Sequence, residues 1–258
     1  LEFRRVLFRS SALKGTSDLA VGNIVGSNIF NTLLIVGVSA LVAPMSIMKT
    51  TVRKDIPFAL VASALLLIMC LDGDISRIDA AILFVMFLIF MYITLRGAKA
   101  QGTDLEEKEK KPMATWLSVV WILVGLACLI GGSNLFVDGA TAVATKLGVS
   151  EAVIGLTIVA GGTSLPELAT SVVSARKGNS GIAIGNVLGS NVFNILAILG
   201  LTGVISPMTL KGITMTDLSM MVISIILIWL FSFTKYKIER WEGAILTAVF
   251  VGYIYSLL

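Results

Sequence analysis

Long apolar runs separated by short charged stretches dominate this chain. A membrane-crossing helix needs about 20 mostly apolar residues. Eight runs come close to that length: 19–43, 55–71, 77–95, 115–136, 149–175, 181–205, 214–233 and 241–257. The fifth and sixth are rich in Gly, Ser, Thr and Asn. Such residues suit a protein-lined interior better than a lipid-facing surface. The pattern predicts an all-α polytopic membrane protein with about eight transmembrane helices.

Composition sharpens this reading. Of 258 residues, 56% are hydrophobic and 14% charged, where a soluble domain carries about a quarter charged. No histidine is present, which excludes His-based triads, His-rich zinc sites and His proton relays together. Nothing suggests nucleic-acid binding; the partner is the lipid bilayer. Cys70 and Cys128 each sit inside an apolar run, a context that predicts buried, inert thiols. The loops after spans 1, 3, 5 and 7 hold thirteen basic residues, from Lys49, Arg53 and Lys54 through to Lys235, Lys237 and Arg240. The opposite side holds four: Lys14, Arg77, Lys146 and Lys211. The bias makes the first side cytoplasmic. The stretch 97–114 reads as a charged cytoplasmic linker.

The chain also repeats itself. Segment 14–44, KGTSDLAVGNIVGSNIFNTLLIVGVSALVAP, aligns without gaps on 177–207, KGNSGIAIGNVLGSNVFNILAILGLTGVISP, with fifteen of 31 pairs identical at an offset of 163. Five spans make one unit. An odd number inverts the second copy in the membrane, and the charge rule agrees, placing Lys14 outside and Lys177 inside. Inverted repeats with Gly-interrupted segments mark secondary transporters.

The second copy is preceded by GLTIVAGGTSLPELATSVVSA, residues 155–175. Gly161-Gly162 is expected to break the helix, Thr163 or Ser164 to cap a new one, and Pro166 to sit in its first turn. Ser164-x-x-Glu167 also fits a capping box, so one reading makes Glu167 only a cap. The other makes it a cation ligand, because an ionised carboxylate within a span is costly and no Lys or Arg of that span neutralises it. Hydroxyl, amide and carbonyl oxygens suit hard cations such as calcium and sodium. Ser190 and Asn194, and in the first copy Ser27 and Asn31, are spaced i, i+4 and share a helix face. Close helix packing through small residues accounts for Gly185 and Gly189 but poorly for the paired asparagines. A hydrolase built on Ser164 is disfavoured for want of a general base.

GGTSLPELATSVVSA followed by GNVLGSNVFN resembles the second alpha-repeat of the sodium/calcium exchanger family, within the calcium/cation antiporters. GNIVGSNIFN resembles the back half of the first. The similarity covers residues 11–258 and suggests a bacterial-type member. The resemblance implies ten helices in two inverted five-helix repeats, whose central helices hold calcium or sodium alternately. It implies Glu167 as the main carboxylate ligand of calcium or sodium, with Thr163, Ser164, Ser190, Asn194, Ser27 and Asn31 as further ligands. Asn23, Asn28, Asn186 and Asn191, with Gly161, Gly162 and Pro166, are expected to position helices. No cofactor is implied beyond the transported calcium and sodium. Potassium-carrying members often have Asp where Asn194 stands, which argues against potassium dependence. The location implied is multi-pass in the cell's inner (plasma) membrane.

The chain departs from the family at its start. The repeat partner of Glu167 falls at position 4, which is Arg. Residues 1–10 read as a foreign leader, 11–96 as an incomplete first repeat of three helices, and 115–258 as a complete second repeat of five. Expectations are therefore a calcium/sodium antiporter of which this chain is an inactive fragment, with residues 11–95 packed more loosely than 113–258. A proton-driven or other divalent-cation antiporter remains an alternative. So does a non-transporting membrane fragment or scaffold.

Overall fold

The computed structural model describes residues 17–100, 115–210 and 212–257. The expected leader at 1–10, residues 11–16 of the first repeat and most of the linker, 101–114, lie outside the described residues. Helix α1 runs Ser17–Ile29, loosens to π geometry over Phe30–Ile35 and closes as Val36–Val42. Helix α2 joins a π turn Thr51–Asp55, an α-helix Ile56–Met69 and a tight turn Cys70–Asp72. Helix α3 is Arg77–Ala100 and α4 is Thr115–Lys146. Helix α5 comprises Glu151–Ile154, a π stretch Gly155–Val159 and Ala160–Thr163; α6, Leu165–Arg176, follows at a bend of 47°. Helix α7 comprises Ser180–Val192, a π stretch Phe193–Leu199 and Gly200–Ile205. Helices α8, Met215–Ser232, and α9, Arg240–Leu257, complete the bundle.

Among the described residues six helices are long and apolar enough to cross a membrane, and the bent α5–α6 pair makes a seventh. The eighth predicted span is α9, whose 18 residues open on Arg240 and Glu242. The fourth is longer than predicted. It passes through Gly131-Gly132 and Asp138 to Lys146, and stops before Gly148, whose φ of +80° no other residue type adopts as readily. Its polar second half persists because it packs on α5: Ser133 Oγ donates to the carbonyl of Gly162, and Val137 is buried there.

Four two-residue strands tie the loops together, and they show the inverted repeat directly. They are β1 Met45–Ser46, β2 Asp74–Ile75, β3 Met208–Thr209 and β4 Lys237–Ile238. Adding 163 converts β1 into β3 and β2 into β4. The antiparallel register follows the same operation: Met45 pairs Ile238 and Ser46 pairs Lys237, while Met208 pairs Ile75 and Thr209 pairs Asp74. Each small ladder joins two loops that the charge rule assigns to one side. Helix contacts obey the operation too. A Cβ on Gly37 of α1 would lie 2.9 Å from the Gly243 carbonyl of α9; on Gly200 of α7 it would lie 3.1 Å from the Ala80 carbonyl of α3.

The core is the crossing of α1 and α7. Within their most apolar windows α1 is 78% buried and α7 is 56% buried, against 11% for α3 and 6% for α4. Burial therefore does not divide between the repeats as the expected loose first repeat would have it: α1 is surrounded by α5, α6, α8 and α9, whereas among the described residues α4 leans mainly on α5 and α6. Cys70 is buried but Cys128 is exposed on α4, and both thiols are free. The prediction of a buried Cys128 fails because that helix presents most of its circumference outward.

Candidate functional site

Where α1 and α7 cross, four asparagines meet in a pattern that the repeat repeats. Asn31 Nδ2 donates to Asn191 Oδ1 at 3.0 Å, and its image Asn194 Nδ2 donates to Asn28 Oδ1 at 3.2 Å. Asn191 Nδ2 also reaches Thr32 Oγ1 at 2.8 Å, and Asn28 Nδ2 reaches the Asn191 carbonyl at 3.4 Å. Amides in an apolar layer must find partners, and here each copy of the motif satisfies the other. Asn28, Asn31 and Asn191 are at most 1% exposed. Asn31 and Asn194 both lie in the π stretches, a geometry that recurs at functional sites.

The break between α5 and α6 forms the adjacent wall. It lies at Ser164 rather than at the glycines: helix continues through Gly161 and Gly162 to Thr163. The two glycines serve close packing instead. A Cβ on Gly161 would press on the Phe30 ring at 3.2 Å, and one on Gly162 would collide with Val137. Pro166 takes its expected place in the first turn of α6. The capping box does not form, because Ser164 makes no side-chain cap bond and its φ, ψ of −95°, 2° continue the turn instead of opening it as an N-cap does. Ser164 closes α5 through its backbone N–H, bonded to the Ala160 and Gly161 carbonyls at 3.1 and 3.2 Å.

These elements enclose a cavity of about 490 Å³. Its polar lining is Asn23, Ser27 and Asn31 from α1, Thr163, Ser164 and Glu167 from the break, and Asn194 and Thr202 from α7. Of the seven expected ligands, six share this one space. Ser190 does not line it: that part of α7 has no wall opposite among the described residues, and a Cβ on neighbouring Gly185 or Gly189 would meet nothing within 4 Å. Asn23, expected only to position helices, lines the cavity and accepts from Thr163 Oγ1 at 3.1 Å and Ser27 Oγ at 3.4 Å. Asn186 donates to the Glu167 carbonyl at 3.2 Å and to Ser171 Oγ at 3.0 Å, holding α6 against α7. Ser133, which grips the break, was missed; only its place after Gly131-Gly132 on a span hinted at an inward face.

Oxygen dominates the polar lining, as hard cations prefer, and Glu167 is its one carboxylate among the described residues. Asn31 commits its amide nitrogen to Asn191, which leaves Asn31 Oδ1 buried without a hydrogen-bond partner.

A family profile described as sodium/calcium exchanger protein matches residues 7–96 and 117–258. The putative antiporter CaxA of Alkalimonas amylolytica is 38% identical over 258 residues, covering 96% of this chain and 81% of that protein. The inner membrane protein YrbG of Escherichia coli (strain K12) is 37% identical over 258 residues, covering 96% of this chain and 79% of its own length. Among solved structures, the sodium-calcium exchanger NCX_Mj soaked with sodium and strontium superposes with a TM-score of 0.78 at 31% identity, over 98% of this chain and 81% of that one.

Proposed function

The chain belongs to the sodium/calcium exchanger family, a family of membrane transporters rather than enzymes, and we propose that its cavity is the ion site of an antiporter that exchanges calcium for sodium across the inner membrane. Glu167 supplies the charge that a divalent ion needs. Ser164, Thr163, Ser27, Asn31 and Asn194 supply neutral oxygens, and Ser190 contributes only when a further wall closes on it. The observation that carries this reading is the orphaned carbonyl oxygen of Asn31 in the same cavity as Glu167. A buried acceptor without a donor is costly, and a cation is the partner that suits it.

The test is ion-dependent stability of the purified protein in detergent. A bound ion stabilises the folded state according to its concentration over its Kd. Calcium raises the unfolding temperature, sodium competes for the same sites, and Glu167→Gln removes the calcium effect while leaving the ion-free transition in place. An undiminished calcium shift in Glu167→Gln would reduce the residue to a structural role. Transport is measured separately as calcium-45 uptake into liposomes. With Glu167 as the carboxylate of the described cavity, sodium-driven uptake is expected to be lost in Glu167→Gln. Uptake driven by a pH gradient would favour a proton-driven antiporter.

A further inference from the structure

The two small ladders are built alike but carry opposite charge. On the β2–β3 side the repeat places Asp72 and Asp74; their images on the β1–β4 side are Lys235 and Lys237. The β1–β4 ladder gathers further cations from two loops far apart in sequence. Lys49, Arg53 and Lys54 stand just after β1, and Arg240 just after β4; all four, with Lys235, are exposed. Among the described residues Asp55 and Glu239 are the acidic groups at this surface, and Glu239 pairs weakly with Lys237 at 3.9 Å.

The turn leading into β4 is strained. Lys235 and Tyr236 have φ of 59° and 54°, the two non-glycine residues with positive φ among those described. Lys237 N–H closes the turn on the Thr234 carbonyl at 3.2 Å. Paired left-handed positions normally call for Asn and Gly, and the image of Tyr236 is indeed Gly73, with φ 83°. The strained form is held from outside: Ile47 N–H donates to the Tyr236 carbonyl at 2.8 Å, and Lys49 Nζ sits 5.4 Å from the centre of the Tyr236 ring. Strain that surroundings enforce points to a use. Orienting the chain during insertion counts loop charges and requires no such turn or ladder.

Aromatic residues set the depth of this platform. Trp241 and Phe233 are 57% and 55% exposed, and half-buried Trp229 donates from Nε1 to the Val52 carbonyl at 3.0 Å. Indole and phenyl rings collect at the headgroup level of a bilayer. Basic clusters at that depth attract anionic lipid. We propose that the β1–β4 platform is a binding site for the headgroups of anionic phospholipids, with Lys49, Lys235 and Lys237 as its phosphate contacts.

The experiment titrates the purified protein in detergent with dioleoyl phosphatidylglycerol or dioleoyl phosphatidylcholine and counts retained lipid by native mass spectrometry. The unaltered protein is expected to retain phosphatidylglycerol preferentially. The triple variant Lys49→Gln, Lys235→Gln, Lys237→Gln loses that preference, whereas Arg77→Gln with Lys146→Gln, on the opposite side, keeps it. Lys235→Gln alone, at an exposed side chain, weakens the preference partially and guards against misfolding of the triple variant. Equal retention of the two lipids, an unchanged preference in the triple variant, or an equal loss in the opposite-side variant would overturn the proposal. Displacement of phosphatidylglycerol by sodium phosphate beyond that by sodium chloride of equal ionic strength would make this a free-phosphate site and also overturn it. No outcome depends on which ion the central cavity carries.

Discussion

At the scale of single residues, the asparagines divide into two kinds of work. Asn191 is fully buried and takes part in three of the bonds at the crossing. Asn194 is half-buried and faces the cavity, where water can replace its amide. Asn191→Ala strands the amide of Asn31 in the core, and an unpaired buried group costs about 1–3 kcal/mol. Thermal unfolding in detergent should therefore fall clearly for Asn191→Ala and less for Asn194→Ala. Calcium titration should show the reverse order of effect on ion affinity for each unit of stability lost. Similar profiles for the two variants would contradict the division.

At the scale of helices, the same small residue means different things in the two copies. Gly26 lies against the backbone of Leu156, and a Cβ there would also meet Ala160 Cβ at 2.8 Å. Its image Gly189 faces open space. Gly26→Ala forces α1 from α5 and is expected to destabilise by about 1–3 kcal/mol, the usual cost of overpacking. Gly189→Ala meets no obstacle, so the higher helix propensity of Ala, about 1 kcal/mol in exposed helix, should leave stability unchanged or raised. Unfolding temperatures of the two variants check this. The crossings of α1 with α9 and of α7 with α3 show a related economy: Ala40 meets Gly243, while in the other copy Gly203 meets Ala80. One partner of each pair is glycine, and the repeat exchanges which.

At the scale of the molecule, the two halves match in sequence but not in state. The cavity extends along Phe84, Phe87, Phe193, Leu201 and Thr202. The repeat images of these residues are Thr247, Phe250, Phe30, Val38 and Ser39. Both aromatic pairs are edge-on, Phe87–Phe193 at 5.6 Å and Phe30–Phe250 at 5.4 Å, yet the second pair lines no part of the cavity and Phe30 is packed beside Gly161. Ser39 is wholly buried and its hydroxyl has no hydrogen-bond partner, while its image Thr202 is at the cavity. In inverted-repeat transporters access alternates about a fixed central site. In a background with Cys70 and Cys128 replaced, Thr202→Cys should react faster with a small hydrophilic thiol reagent than Ser39→Cys. Ions that shift the conformation should change the two rates in opposite directions. Equal reactivity would show that the two sides are not distinguished in this way.

Much of this was present in the linear pattern. Spans follow from apolar length because bilayer thickness is fixed. The inverted repeat follows from a gapless match, while the meeting of Glu167, which has no matching repeat partner, with Asn31 and Asn194 is what the resemblance to the family implied. What only the tertiary structure decided depends on neighbours from distant segments. Whether Gly161-Gly162 breaks a helix or admits Phe30 and Val137 cannot be read locally, since glycine serves both ends. Ser27 and Ser190 are equivalent in the repeat, but Ser27 has Thr163 at 3.3 Å and half-buried Ser190 borders no such wall. A cavity exists only where two surfaces face each other, and the second surface is supplied by the fold.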